Sequence, residues 1–170
     1  MCSSDLFEDP RKDEVLKNIL DLLLKEGIMW YWNPGEKKGQ IHNHQKALAE
    51  VDTKFIWRLD DDNIIPDGVL KKLYEYINSD SSIGAVGPSI VDPKNPVFST
   101  LASNSMEDVY LGLNVQWNTR KNIEVVDVDH LQGSTFLFRK EAAKHGYDLR
   151  LSRVGHREET IFTYEMKRAG

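Results

Sequence analysis

The fold is decided by one stretch of the chain, which reads Asp52-Thr53-Lys54-Phe55-Ile56-Trp57-Arg58-Leu59-Asp60-Asp61-Asp62-Asn63. Its apolar, β-branched and aromatic part predicts a strand, and the aspartates follow that strand directly. Ligand sites in open α/β sheets lie outside the carboxyl ends of strands. Crowded carboxylates repel each other unless a cation lies between them, and hard divalent ions take oxygen ligands. The stretch therefore predicts a metal-diphosphate site, with an Asp-rich solvated turn as the alternative.

The composition is that of an ordinary globular domain. The chain has 170 residues, of which 40% are hydrophobic, and this is enough for one domain with a core. The net charge of −5 and the lack of a basic face argue against a nucleic-acid partner. Cys2 is the only cysteine, so an internal disulfide is excluded and a reducing compartment is favoured. We expect a cytoplasmic protein, or one peripheral to a membrane, without a transmembrane segment, since the apolar run at 19–24 is too short to span a bilayer.

Helical and strand patterns alternate outward from the aspartates. Helices are predicted at 9–26, 40–50, 67–77, 139–145 and from 158 onward, and strands at 28–32, 53–59, 83–90, 125–128 and 133–138. This alternation predicts an α/β fold whose mostly parallel sheet is flanked by helices in crossover connections. Residues 91–123 are polar and irregular, which predicts a long connection on the substrate-facing side.

Several short motifs resemble, in the same order, those of the family 2 glycosyltransferases of the GT-A fold. They are Asn33-Pro34-Gly35, Gly39-Gln40, Ala47-Leu48, Leu59 to Pro66, Gly87-Pro88, Leu131 to Ala142 and Gly155 to Thr160. The resemblance implies a GT-A-like, or Rossmann-like, sheet. It also implies metal-dependent, inverting transfer of a sugar from a nucleotide-sugar donor to a saccharide or other hydroxyl acceptor, with Mn²⁺ or Mg²⁺ as the cofactor.

The aspartate motif carries the donor site in that family. By resemblance, Asp60 lies near the ribose, Asp62 is the direct metal ligand and Asp61 stands between them. Alternate residues leaving a strand point to the same side, so Asp60 and Asp62 can share one ion. The resemblance also assigns Gly39 and Gln40 to nucleotide-sugar binding.

The second half of the predicted site lies near the end of the chain. By resemblance, the acidic pair Glu158-Glu159 supplies the general base, with Glu159 the first choice and Glu158 the second. A helix dipole would keep a carboxylate at this position ionised, which suits a base. The alternative is that these acids only complement the dipole. Gly133 and Ser134 resemble the turn that faces the acceptor, although packing of a tight turn explains them equally. His156 is a candidate ligand for metal or phosphate, with a surface loop histidine as the alternative.

The chain also departs from the family pattern at its start. Family members begin with a strand, a helix and a second strand, whereas Met1 to Asp5 resembles only the loop that follows. We therefore expect residues 1–170 to form a single, partial domain that lacks this unit and whose open sheet edge is exposed or paired in a homo-oligomer. The competing functions are a catalytically inactive fragment, a nucleotide-binding module and, less favoured, a nucleotidyltransferase, which would need a Gly-rich phosphate loop.

Overall fold

The computed structural model describes residues 12–32, 39–88, 90–92, 95–100, 125, 127–151 and 158–170. The helices are α1 (Glu14–Lys25), α2 (Gln40–Glu50), α3 (Val69–Ser79) and α4 (Glu158–Arg168), with a short 3-10 helix at Lys140–Ala142. The strands are β1 (Phe55–Leu59), β2 (Ala85–Val86), β3 (Ile90–Asp92), β4 (Asn95–Thr100) and β5 (Thr135–Arg139). None of the helices in these ranges is long and apolar enough to cross a membrane.

Helix α1 begins and ends on local sequence signals. The side chain of Asp13 accepts hydrogen bonds from the backbone N–H groups of Val15 and Leu16, which are unpaired donors in a first helical turn. The predicted start at Asp9-Pro10 lies outside the described residues. After the helix, Gly27 adopts a φ of 78° and the N–H of residue 28 bonds back to the carbonyl of residue 23, as in a Schellman motif. The predicted stop at Gly27 is therefore confirmed.

The strand predicted at 28–32 is wrong. These residues form no strand, and Met29 and Tyr31 are 72% and 82% exposed. A strand is stabilised by hydrogen bonds to a neighbouring strand, and this segment pairs with none of the described strands. Apolar residues alone predicted a strand here, but strand formation also depends on a partner that local sequence does not show.

The main sheet has the strand order β1-β5-β2, with β5 antiparallel to both neighbours. Because β1 and β2 each oppose β5, they run in the same direction, and α3 connects them as a crossover. The predicted crossover is thus confirmed, but the expected mostly parallel sheet is not, because every strand pair in the described part of the chain is antiparallel. The alternation of helices and strands predicted the crossover through α3. It did not predict that β5, which comes later in the chain, would lie between β1 and β2.

Four further segments differ from the sequence prediction. Of the strand predicted at 83–90, the described residues in a strand are only Ala85, Val86 and Ile90. Strands β3 and β4 form a second, antiparallel sheet, which apart from Ile90 lies within the segment expected to be irregular. Among 125–128, the described residues 125, 127 and 128 lie outside any strand. The helix predicted at 139–145 is only the short 3-10 helix at Lys140–Ala142.

The core lies on both faces of β5. Phe136 and Phe138 face a cluster that includes Ile41, Phe162 and Met166, drawn from α2 and α4. On the opposite face, Leu137 packs with two residues of α3 in a cluster made of Leu73, Ile77 and Leu137. Strand β5 is therefore buried between helices. Its first residue, Thr135, pairs with Leu59 at the end of β1, which places the aspartates beside the loop before β5.

Candidate functional site

The aspartates lie where the sequence placed them, directly after β1. The backbone N–H of Asp60 donates to the carbonyl of Ser134 at 2.8 Å. The side-chain amide of Asn63 donates to the carbonyls of both Asp60 and Ser134, at 3.1 and 3.2 Å. Asp60 is half-buried, whereas Asp61 and Asp62 are exposed. The aspartate loop is therefore fastened to the predicted acceptor turn through one shared carbonyl.

The predicted acceptor turn also touches the acidic pair. A methyl group added at Gly133 would lie 2.8 Å from Cγ and 2.9 Å from Cδ of Glu159, closer than a side chain can approach. A side chain at position 133 would therefore force Glu159 to move, which accords with tight packing of the turn as well as with a role in the site. The structure thus brings together the aspartates, the turn at 133–134 and the start of α4.

The two adjacent glutamates have different surroundings. Glu158 is 3% exposed, and its Oε1 lies 3.0 Å from Nη2 of Arg58. Glu159 is less buried and packs against Gly133. Glu158 is therefore held in a buried ion pair, while Glu159 faces the turn.

The protonation of Glu159 differs from the sequence expectation. Burial, a hydrogen bond with Glu158 and the charge of Glu158 raise the pKa of Glu159 from 4.5 to about 7. The helix dipole was expected to keep this carboxylate ionised, but desolvation and the neighbouring acid outweigh it. A carboxylate with a pKa near neutrality is well matched to accepting a proton at neutral pH.

The sequence analysis assigned no role to Arg58. It lies on β1, two residues before the first aspartate, with its guanidinium carbon 5.7 Å from the centre of the Phe136 ring. Its Nε lies 3.9 Å from Oδ1 of Asp60. Burial raises the pKa of Asp60, Arg58 opposes this rise, and Asp62 adds to it. The signal that could have found Arg58 is a basic residue within an otherwise apolar strand, since a buried charge requires a partner.

His44 and Tyr147 complete the surroundings of Glu158 and were also missed. The His44 ring stacks on Tyr147 with centroids 5.4 Å apart, and its Nε2 lies 4.0 Å from Oε1 of Glu158. Burial, followed by the charge of Arg58, lowers the pKa of His44 to about 4, and Glu158 opposes this effect only in part. His44 is therefore neutral at neutral pH.

The remaining predicted residues lie at the start of α2 or outside the described chain. Gly39 precedes α2 with a φ of 96°, which favours glycine, and Gln40 is the first residue of the helix. Their contact with a nucleotide sugar stays a prediction. His156 lies outside the described residues, so its role as a ligand also stays a prediction.

The candidate site offers carboxylate oxygens as donors for a metal ion. In the ranges that the structure describes, no group of three or more His, Cys, Asp or Glu side chains could hold an ion. Asp60 and Asp62 nevertheless interact, since Asp62 contributes to the raised pKa of Asp60. Mg²⁺ is usually bound through one or two carboxylates together with substrate phosphates. The carboxylates therefore fit an ion shared with a diphosphate and do not fit a closed protein cage.

An open cavity of about 710 Å³ lies beside this site, between β1 and α3. Its lining is mainly apolar but includes Asp67 and Lys71, and it contains no residue of the aspartate motif at 60–62 or of the acidic pair at 158–159. The cavity is therefore distinct from the candidate site formed by the aspartates, the turn at 133–134 and the start of α4.

A comparison with protein families matches residues 8–146 to the family described as Glycosyl transferase family 2. The match includes the aspartates and the turn at 133–134, and it ends before the acidic pair. Neither the curated proteins nor the solved structures contain a match to this chain.

Proposed function

Because the chain belongs to glycosyltransferase family 2, we propose that it transfers a sugar from a nucleotide-sugar donor to a hydroxyl group of an acceptor, with inversion at the anomeric carbon. The GT-A architecture is part of this proposal. It is supported by the family and by the position of the aspartates at the carboxyl end of β1, where α/β sheets bind their ligands.

The donor half of the proposed site is the aspartate loop. Asp60 and Asp61 bind the nucleotide sugar, and Asp62, together with Asp60, holds Mn²⁺ or Mg²⁺. The mutual repulsion that helps to raise the pKa of Asp60 supports this assignment, because a cation would relieve it. When bound, such an ion neutralises the charge that develops on the departing diphosphate.

The acceptor half of the proposed site consists of the turn at Gly133 and Ser134 and the base Glu159. The acceptor oxygen attacks the anomeric carbon, its proton passes to a carboxylate oxygen of Glu159, and the bond between the anomeric carbon and the diphosphate oxygen breaks. The observation that carries the proposal is that Glu159, with its pKa raised to about 7, packs against the same turn that is hydrogen-bonded to the aspartate loop. Glu158 is less suited, since Arg58 already binds its carboxylate.

The test separates donor binding from chemistry. Thermal stabilisation by a panel of nucleoside diphosphates with Mn²⁺ measures donor binding, and release of sugar from nucleotide sugars measures turnover. Asp62→Asn should abolish the metal-dependent stabilisation. Glu159→Gln should retain it and lower turnover by about 10²- to 10⁴-fold, the size of a general-base effect.

The matched control is Glu165→Gln, which changes an acid on the same helix that pairs with Arg168. This variant should retain both binding and turnover. If Glu159→Gln behaves like the control, the base lies elsewhere. If the unaltered protein binds no nucleoside diphosphate and cleaves no nucleotide sugar, glycosyl transfer by this chain is refuted.

A further inference from the structure

We infer that Arg58 is a positioning residue that joins the donor aspartates to the acidic pair, fixing Glu158 so that Glu159 faces the acceptor turn. The inference rests on the proposed function for the role of Glu159. The contacts of Arg58 itself are independent of that function.

The guanidinium of Arg58 lies between the two acidic groups. Nη2 is 3.0 Å from Oε1 of Glu158, and Nε is 3.9 Å from Oδ1 of Asp60. The side chains of Arg58 and Glu158 are 7% and 3% exposed, so water screens their attraction little. The planar guanidinium directs its N–H groups in fixed directions, which a flexible ammonium group does not. At 3.9 Å, Nε makes no hydrogen bond with Asp60 and interacts with it through charge alone. Arg58 therefore holds Glu158 by a direct hydrogen bond and attracts Asp60 at longer range.

Fixing Glu158 also orients its neighbour. Successive residues of an α-helix are rotated by about 100° around the axis, so the direction of Glu158 sets the direction of Glu159. A second contact supports the same orientation: the hydroxyl of Thr163 donates to the carbonyl of Glu159 at 2.8 Å and accepts from the N–H of Leu131 at 3.0 Å. The first turn of α4 is thus held at two points, and Glu159 is directed against Gly133.

Arg139 provides the comparison that distinguishes this role from a structural one. It is also a buried arginine on the same sheet, at 4% exposure. Its guanidinium donates to backbone carbonyls, including those of Ile77 and Ile83, near the end of α3. Arg139 therefore stabilises the fold without contacting the candidate site, whereas Arg58 binds the carboxylate of Glu158 within it.

The first measurement is the side-chain ¹H–¹⁵N spectrum of the arginines in the ligand-free protein. Glu158→Gln should shift or broaden the guanidinium signals of Arg58 and leave those of Arg139 unchanged. Asp60→Asn should shift the Nε signal of Arg58. An Arg58 spectrum that does not respond to Glu158→Gln would overturn the inference, whatever the protein catalyses.

The second measurement compares turnover in Arg58→Met, Arg58→Lys and Arg139→Met. Arg58→Met should lower kcat by about 100-fold, the scale for displacing a reacting group by about 1 Å, and change the KM for the donor much less. Arg58→Lys should lie between Arg58→Met and the unaltered protein. Arg139→Met should lower the Tm but not the kcat of the folded protein.

The outcomes decide the inference separately from the proposed function. Equal losses of kcat in Arg58→Met and Arg139→Met, or a loss of Tm alone in Arg58→Met, would overturn it. If Arg58→Met does not fold, Arg58→Lys should lower kcat while Arg139→Lys does not, and the absence of that difference would overturn it. If no nucleotide sugar is turned over by the unaltered protein, the proposed function fails and the spectrum of Arg58 alone decides whether the bridge exists.

Discussion

Glu159→Gln should make the protein more stable, and the gain should depend on pH. The pKa of Glu159 is raised from 4.5 to about 7, so the folded protein holds a proton that the unfolded chain has lost between these values. Stability is therefore greatest below about pH 4.5 and falls as the pH rises through about 7. The raised pKa of Glu159 is therefore maintained at a cost in stability.

The size of the effect follows from the same values. One pKa unit corresponds to about 1.4 kcal/mol, so the rise from 4.5 to about 7 corresponds to about 3 kcal/mol above neutral pH. Glutamine resembles the protonated acid and does not ionise. Glu159→Gln should therefore raise the free energy of unfolding by about 3 kcal/mol at pH 8 and by less than about 1 kcal/mol at pH 5.

The assay is urea unfolding at both pH values, and it needs neither donor nor acceptor. Glu75→Gln is the control, because Glu75 is an exposed acid of α3 that pairs with Lys71. It should change stability by less than about 0.5 kcal/mol at either pH. A Glu159→Gln variant that gains equally at pH 5 and pH 8, or gains nothing at pH 8, would refute the assignment of a raised pKa to this carboxyl group.

Three further predictions concern packing and protonation. Leu73→Ala should lower the free energy of unfolding by about 2–5 kcal/mol, because Leu73 is 8% exposed within the core. Leu70→Ala, which truncates a 43% exposed side chain of the same helix, should lower it clearly less. Equal losses in the two variants would contradict the orientation of α3. Gly133→Ala should lower the free energy of unfolding by about 1–3 kcal/mol in the same assay and should reduce turnover, because the added methyl group must displace the Glu159 side chain. If stability and turnover are both unchanged, Glu159 does not lie this close to Gly133. Burial and a neighbouring guanidinium lower the pKa of His44 from 6.5 to about 4, so its contribution to stability is present above about pH 6.5 and is lost as the pH falls toward 4. Relative to His44→Gln, the unaltered protein should lose about 2 kcal/mol between pH 8 and pH 5 in urea unfolding, and a constant difference would count against a neutral buried imidazole.

The local features of the fold were predictable from sequence. Helix α2 has the bounds that its pattern predicted, and the aspartates follow a strand as expected. These features depend on periodicity and on residues close in sequence. The antiparallel insertion of β5 between β1 and β2 could not be predicted in this way, because it depends on residues that are far apart in the sequence. Phe55 of β1, for example, pairs with Arg139 of β5.

The candidate site also combines features that local sequence predicts with features that depend on distant residues. The aspartates, the turn at 133–134 and the acidic pair were each recognised as motifs, and the structure brings them together. Which glutamate was held in an ion pair could not be predicted, because it depends on Arg58, a strand residue 100 positions away from Glu158. The same holds for the direction in which the pKa of Glu159 moves, since burial was not visible from the sequence.

The position of β5 in the centre of the main sheet has a consequence for folding. Strands β1 and β2 each pair with β5, which follows them in the chain, so neither can complete its hydrogen bonds until residues 135–139 have been synthesised. Loop closure over this distance slows folding, and the open strand edges are exposed to other chains in the meantime. The same late event joins the aspartate loop to Ser134, so the candidate site cannot assemble before the sheet does.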